Sequence, residues 1–369
     1  MPIPAPTAAP LVIAVVVAVV LSGCERSSGG SGSAASSRAG VPSTSESTRP
    51  SPIRPTPAQQ GPTYTVTATV PVGKYPGAVA VDPETHTVFV ADDRGVSVID
   101  GTTHTVTATI GVQGGELAVD PSTHTVYVTQ SREYAVAVID GSTHTLTATV
   151  PVGEKPGMTG NAPMREVAVD PSTHTVYVAN SWANAVTVID GSTLEVAASI
   201  PVGAYTQQLA VDPGSHTVYV TKDDGDMTAS GKRIDKTAAV IDGATRTVAA
   251  TIPVRYSSGA VAVDPDTHTV YITNLYDSTV SVIDGMTLTV IAIIPVGKRP
   301  ADVAVDSGTH TVYVVGEGRL SVIDGPTRTV TATIPVNSAS GHSLAVDSDT
   351  HAVYVTNTAD GTVSVIERR

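Results

Sequence analysis

The sequence predicts an all-β fold, a seven-bladed β-propeller of four-stranded blades, and three observations carry that prediction. A [VL]AVD element, a THTVYVTN-like run and a VSVID-like run each occur seven times in the same order, with the aspartate of the first recurring at intervals of 38 to 52 residues. Repeats of that length are the signature of stacked supersecondary units, and the strict apolar/polar alternation inside each run has the period of a strand. Composition agrees: 41% of the 369 residues are apolar, yet there is one Phe, one Trp and an abundance of Val and Thr, the β-branched residues that suit stacked sheets.

The N-terminus is not part of the repeat. Residues 11–21 (LVIAVVVAVVL) are an apolar run too short to cross a bilayer as a helix and of the right length for a signal-peptide core. Leu21-Ser22-Gly23-Cys24 follows at once and resembles the lipobox of bacterial lipoproteins, although no basic residue lies between Met1 and Pro10. The resemblance implies cleavage after residue 23 and lipidation of Cys24, which places the chain at the cell envelope on the extracytoplasmic side of the membrane. As Cys24 is the single cysteine, no internal disulfide is available to the fold. From Cys24 to residue 62 the chain is Ser, Gly, Pro, Thr and Ala without an apolar period, a composition that does not offset the entropy of ordering; it reads as a tether with a root-mean-square reach of about 35 Å.

From residue 63 to 369 the propeller is read element by element. Asp-Pro-x-Thr after the first strand is a turn in which the aspartate accepts from backbone amides and proline presets its own φ. Asp-Gly after the third strand is expected to supply a positive-φ position. The fourth element, TVTATIPV or a variant, ends in proline in most copies, which belongs at an edge where no ladder partner is needed. Its phase is shifted: the first copy, residues 64–72, precedes the first VAVD, and none follows Glu367. Ring closure is therefore expected to give this N-terminal strand to the last blade as its outermost strand. An alanine recurs two residues before each VAVD aspartate, where blades converge on the axis.

The copies YITN (271–274) and YVTN (354–357), with VSVI and TATIPV runs around them, are similar to the YVTN-repeat propellers, the group that includes YncE-like and surface-layer proteins. The resemblance covers residues 64–369 and implies the fold; what it implies about function is a range, from binding platforms to enzymes in distant relatives. WD40 and Kelch signatures are not in phase.

The net charge of −13 is not a designed field. Thirteen of the 34 acidic side chains are the aspartates of the VD and IDG turns, which leaves 21 acids against 21 Lys and Arg. Nucleic acid is disfavoured, because basic residues are interleaved with acids and few aromatics are available for stacking. That partner enters only because some YncE-like propellers are associated with single-stranded DNA. Seven turn histidines form a ring on one face and read as turn residues, too far apart to share a metal. No cofactor motif is present, and HExxH, GxSxG and a correctly spaced phosphate loop are all missing.

Variation concentrates on the other face. Residues 153–166 (GEKPGMTGNAPMRE) and 222–236 (KDDGDMTASGKRIDK) are expanded, with the single Trp between them in NSWAN. Met158, Met164, Arg165, Trp182, Asp223, Asp224, Asp226 and Met227 form the expected contact patch of blades three and four, for a protein, peptide or glycan. The competing reading packs Trp182 and the methionines over the ring mouth. An enzyme reading, a lyase or hydrolase at the mouth, rests on His342 with Glu317 as partner. A purely structural envelope component is the third class.

Overall fold

The computed structural model describes residues 62–153, 164–181, 183–203, 206–222, 236–255, 258–337 and 343–369. These form seven antiparallel sheets of four strands each. In six sheets the strands follow one another in sequence, as in blade five, with Ser258–Asp264 innermost, then Thr269–Asn274, Thr279–Asp284 and Thr289–Pro295 outermost. The seventh is composite: Leu344–Val346, Val353–Asn357 and Thr362–Arg368 take the N-terminal strand Tyr64–Pro71 as their outer member. Val70 lies opposite Val363, and Thr63 and Arg369 exchange both backbone hydrogen bonds at 3.1 and 2.7 Å. The closure expected from the shifted phase is the closure observed.

Burial follows position in the blade. The second and third strands are buried on both faces, in patterns such as iBBBBi, because each blade is sandwiched between its neighbours; the outer strands read eeeieB. The apolar side chains gather into seven clusters, each drawn from two adjacent blades. One of them joins Val70, Tyr354 and Val363 of blade seven to Val79, Val88 and Ile99 of blade one, which seals the ring. The prolines Pro71, Pro151, Pro201, Pro295 and Pro335 close outer strands, as expected of edges.

One local expectation is corrected. The glycines of the IDG turns do not occupy the positive-φ position; that falls three residues later, on His104, His144, Leu194, Arg246, Leu288 and Arg328 at φ of 54 to 60°. Glycine is required by close approach instead. A Cβ at Gly243 would sit 2.5 Å from the His216 carbonyl oxygen and 2.6 Å from the Tyr177 hydroxyl of the preceding blade.

Candidate functional site

The turns after the first and third strands share one face, and that face is a locked ring. Each turn histidine adopts a left-handed backbone, φ 52 to 61°. In all but His351, Nδ1–H donates to the VD aspartate of the neighbouring blade: His124 to Asp82 at 2.8 Å, His174 to Asp120 at 2.7 Å, His216 to Asp170 at 2.7 Å, His268 to Asp212 at 2.6 Å and His310 to Asp264 at 2.9 Å. His351 lies 2.9 Å from Asp306, and His86 crosses the seam to Asp347 at 2.9 Å. The carboxylates are almost wholly buried, and in all but Asp306 the other oxygen serves the turn itself, as where Asp120 Oδ1 accepts from Ser122 N at 3.1 Å. Sequence reasoning took these histidines for turn residues alone. Asp264, Asp266 and His310 bring potential ligand atoms within 4.8 Å of one another, but they are one clasp of the seven with an aspartate at the variable turn position. The buried tyrosines reinforce the joint, as Tyr354 Oη donates to the Gly101 carbonyl at 3.4 Å. Burial pushes the phenols of Tyr127, Tyr177, Tyr219 and Tyr271 up to about 12, so they stay donors.

The opposite face opens into an axial pocket of about 430 Å³. Apart from Thr358, its polar side chains come from one register position, the residue before [VL]AVD. Around the ring that position is Ala78, Glu116, Glu166, Gln208, Ala260, Asp302 and Ser343. Pairing with the second strand fixes it. The threonine of the YVTN-type run accepts the backbone amide of this residue, with Glu116 N donating to Thr129 Oγ1 at 2.9 Å, Gln208 N to Thr221 at 3.2 Å and Ser343 N to Thr356 at 3.0 Å. Glu116, Glu166 and Asp302 thus line the one axial pocket, each half-buried.

That setting changes their chemistry. Burial first, then the charges of Glu116 and Asp302, push the Glu166 carboxyl well above the usual range, against a small opposing effect from the Val167 amide at 3.1 Å. Burial raises Asp302 to about 6, although Leu344 N and Val303 N donate to it at 2.9 and 2.8 Å and the Ser343 hydroxyl also favours the anion. Such a pocket accepts hydrogen bonds and favours a positively charged group over a negative one.

The residues singled out from sequence fare unevenly. Met164 is corrected. It opens the inner strand Met164–Asp170, pairs with Asn180, and packs at 4% exposure among Val136, Val150, Val152 and Val178, so it is a core side chain and offers no surface contact. Glu166, read as the end of an expanded loop, lies inside that strand. Glu317 is exposed and lies 3.4 Å from Arg299 Nε, away from the residues that line the axial pocket. Cys24, Met158, Trp182, Asp223, Asp224, Asp226, Met227 and His342 lie outside the described residues, as does the side chain of Arg165. The axial carboxylates were missed, though the signal was present: aligned on VAVD, the preceding column carries three acids, an amide and a serine.

Comparison with known proteins reaches the fold and stops there. No protein-family model matches the chain, and no curated protein matches it. Among solved structures, hydrazine synthase of Kuenenia stuttgartiensis is similar over 79% of this chain and 95% of that one, with a TM-score of 0.66 at 19% identity. The likeness is one of fold. The chain is a seven-bladed β-propeller. At this identity the enzyme's chemistry does not transfer.

Proposed function

We propose that this propeller is a binding platform of the cell envelope, held outside the membrane by a lipid on Cys24 and a flexible tether. The observation that supports it is the asymmetry of the two faces. One repeats the same turn and the same His–Asp clasp seven times, whereas the other carries turns of unequal length around an opening lined by Glu116, Glu166, Gln208 and Asp302. A rigid ring that spends its variation on one face presents that face to a partner. The partner, a protein, peptide or glycan, is recognised by the loops of blades three and four around Trp182 and inserts a positively charged or hydrogen-bond-donating group into the axial pocket. In this reading the chain is a YVTN-type propeller, supported by the repeats themselves, and no cofactor takes part. The mouth enzyme built on His342 and Glu317 is the poorer reading, because the Glu317 carboxylate is paired with Arg299 at the rim.

Cross-linking and capture on membranes tests the reading, with the intact protein beside Trp182→Ala and Glu166→Gln. Partners captured by the intact protein and lost from both variants are expected. Capture that survives both substitutions would remove the loops and the pocket together.

A further inference from the structure

Blade five carries an outer edge unlike the other six. Its outer strand, Thr289–Pro295, reads TVIAIIP, whereas the positions of Ile291 and Ile293 are Thr, Ser or Ala in every other blade. Val290, Ile291 and Ile293 are 39, 37 and 43% exposed, and Met286 in the adjoining turn is 74% exposed. Beside them, a groove of about 500 Å³ runs between blades four and five, with Val290 and Ile293 on one wall and the Arg255–Asp277 ion pair, 2.7 Å, at its rim. As an outermost strand, Thr289–Pro295 has ladder partners on one side only, and it lacks the charges that usually blunt such an edge.

We propose that this strand pairs antiparallel with the same strand of a second copy, forming a homodimer in which two blades make one eight-stranded sheet. Three features select a second copy as the occupant. Ile291, the bulged residue of the strand, and Ile293 flank Ala292, so a two-fold axis near Ala292 lays the aliphatic patch of one copy against the same patch of the other. The strand is uncharged and the Arg255–Asp277 pair is neutral, so no like charges are brought opposite. Only one blade of the seven has this edge, and a single self-complementary edge closes as a dimer, where several would propagate as a fibre. A stable interface takes about 800 Å² from each partner, more than a seven-residue strand offers, so Met286 and the groove are covered as well and the dimer is weak.

Sedimentation velocity of the full chain in mild detergent, from about 1 to 100 μM, tests this. Ile291→Thr with Ile293→Thr converts the strand to TVTATIP, the sequence of the outer strand of blade six, Thr329–Pro335, so the variant keeps a strand this fold already uses. The wild-type chain is expected to shift from monomer to dimer across the range, and the double variant to bind itself at least tenfold more weakly. A wild-type chain that stays monomeric throughout overturns the proposal. So does a dimer that the double variant forms equally well, since association would then use another surface.

Discussion

The clasp histidines carry two constraints at once, a left-handed backbone and a donor aimed at the neighbouring blade. Alanine would break both, whereas asparagine tolerates the backbone but is too short to reach the carboxylate. His124→Asn therefore isolates the clasp: it leaves Asp82 buried without its donor and is expected to cost about 1–3 kcal/mol in urea unfolding. His144 has the same backbone, at φ 57°, in a turn after the third strand and outside the clasp, so His144→Asn is expected to change stability by less than about 0.5 kcal/mol. Equal losses at the two sites would mean that the backbone, and not the hydrogen bond, is what histidine supplies.

Glu166 poses the opposite case, a side chain that works against the fold. Raised carboxyl pKa values mean that the folded chain holds more protons than the unfolded one. For Asp302 the window runs from about 4, its ordinary value, to about 6. The contribution is fully present below that window and is lost as pH rises through it; Glu166 acts in the same sense. Glu166→Gln removes a charge repelled by Glu116 and Asp302 while keeping an oxygen for the Val167 amide. Thermal unfolding should show a gain on the order of 1 kcal/mol at pH 8 and none at pH 4, where the carboxyl is already protonated. A loss at pH 8 would show that the charge has a counterpart in the fold.

At the scale of the element, the IDG turn separates two explanations for one glycine. If positive φ were the reason, Gly243→Asn would be tolerated; because a Cβ there meets the His216 carbonyl and the Tyr177 hydroxyl, Gly243→Asn and Gly243→Ala should both cost about 2–4 kcal/mol in chemical denaturation. Tolerance of asparagine alone would restore the conformational explanation. This turn also marks how far sequence reaches. Strands, blade count and seam were legible because each is written in a local period or in the phase between repeats. The clasp was not, because its two residues belong to different copies, as His124 and Asp82 do, 42 positions apart. Met164 and Glu166 were misplaced for a related reason: the inner strand of blade three begins at Met164, ahead of the VAVD that marks it in sequence, so strand residues were counted as loop. Of the axial pocket, the column of acids before VAVD was legible once the repeats were aligned; their meeting was not, since only closing the ring brings blades two, three and six to one point.

For the whole molecule, the seam between blades one and seven decides how the ring comes apart. Within six blades the four strands are joined in sequence, but in blade seven the strand Tyr64–Pro71 is held to Thr362–Arg368 by pairing alone. His86 and Asp347 lie at the adjoining interface, 2.9 Å apart, in the same geometry as the other clasps. Equilibrium cost should thus be similar for His86→Asn and His216→Asn, since each leaves one buried carboxylate without its donor. Rates should differ. Opening at the seam breaks the ring without first breaking a covalently continuous blade, so its contacts are the first to be lost on the way to the unfolding barrier. His86→Asn is expected to speed unfolding in a urea jump by about tenfold, while the same change at His216 acts less on unfolding and more on refolding. Identical kinetics for the two variants would mean that the ring yields anywhere, as a repeat array does, and that pairing of the N-terminal strand makes the seam as strong as any joint inside the chain.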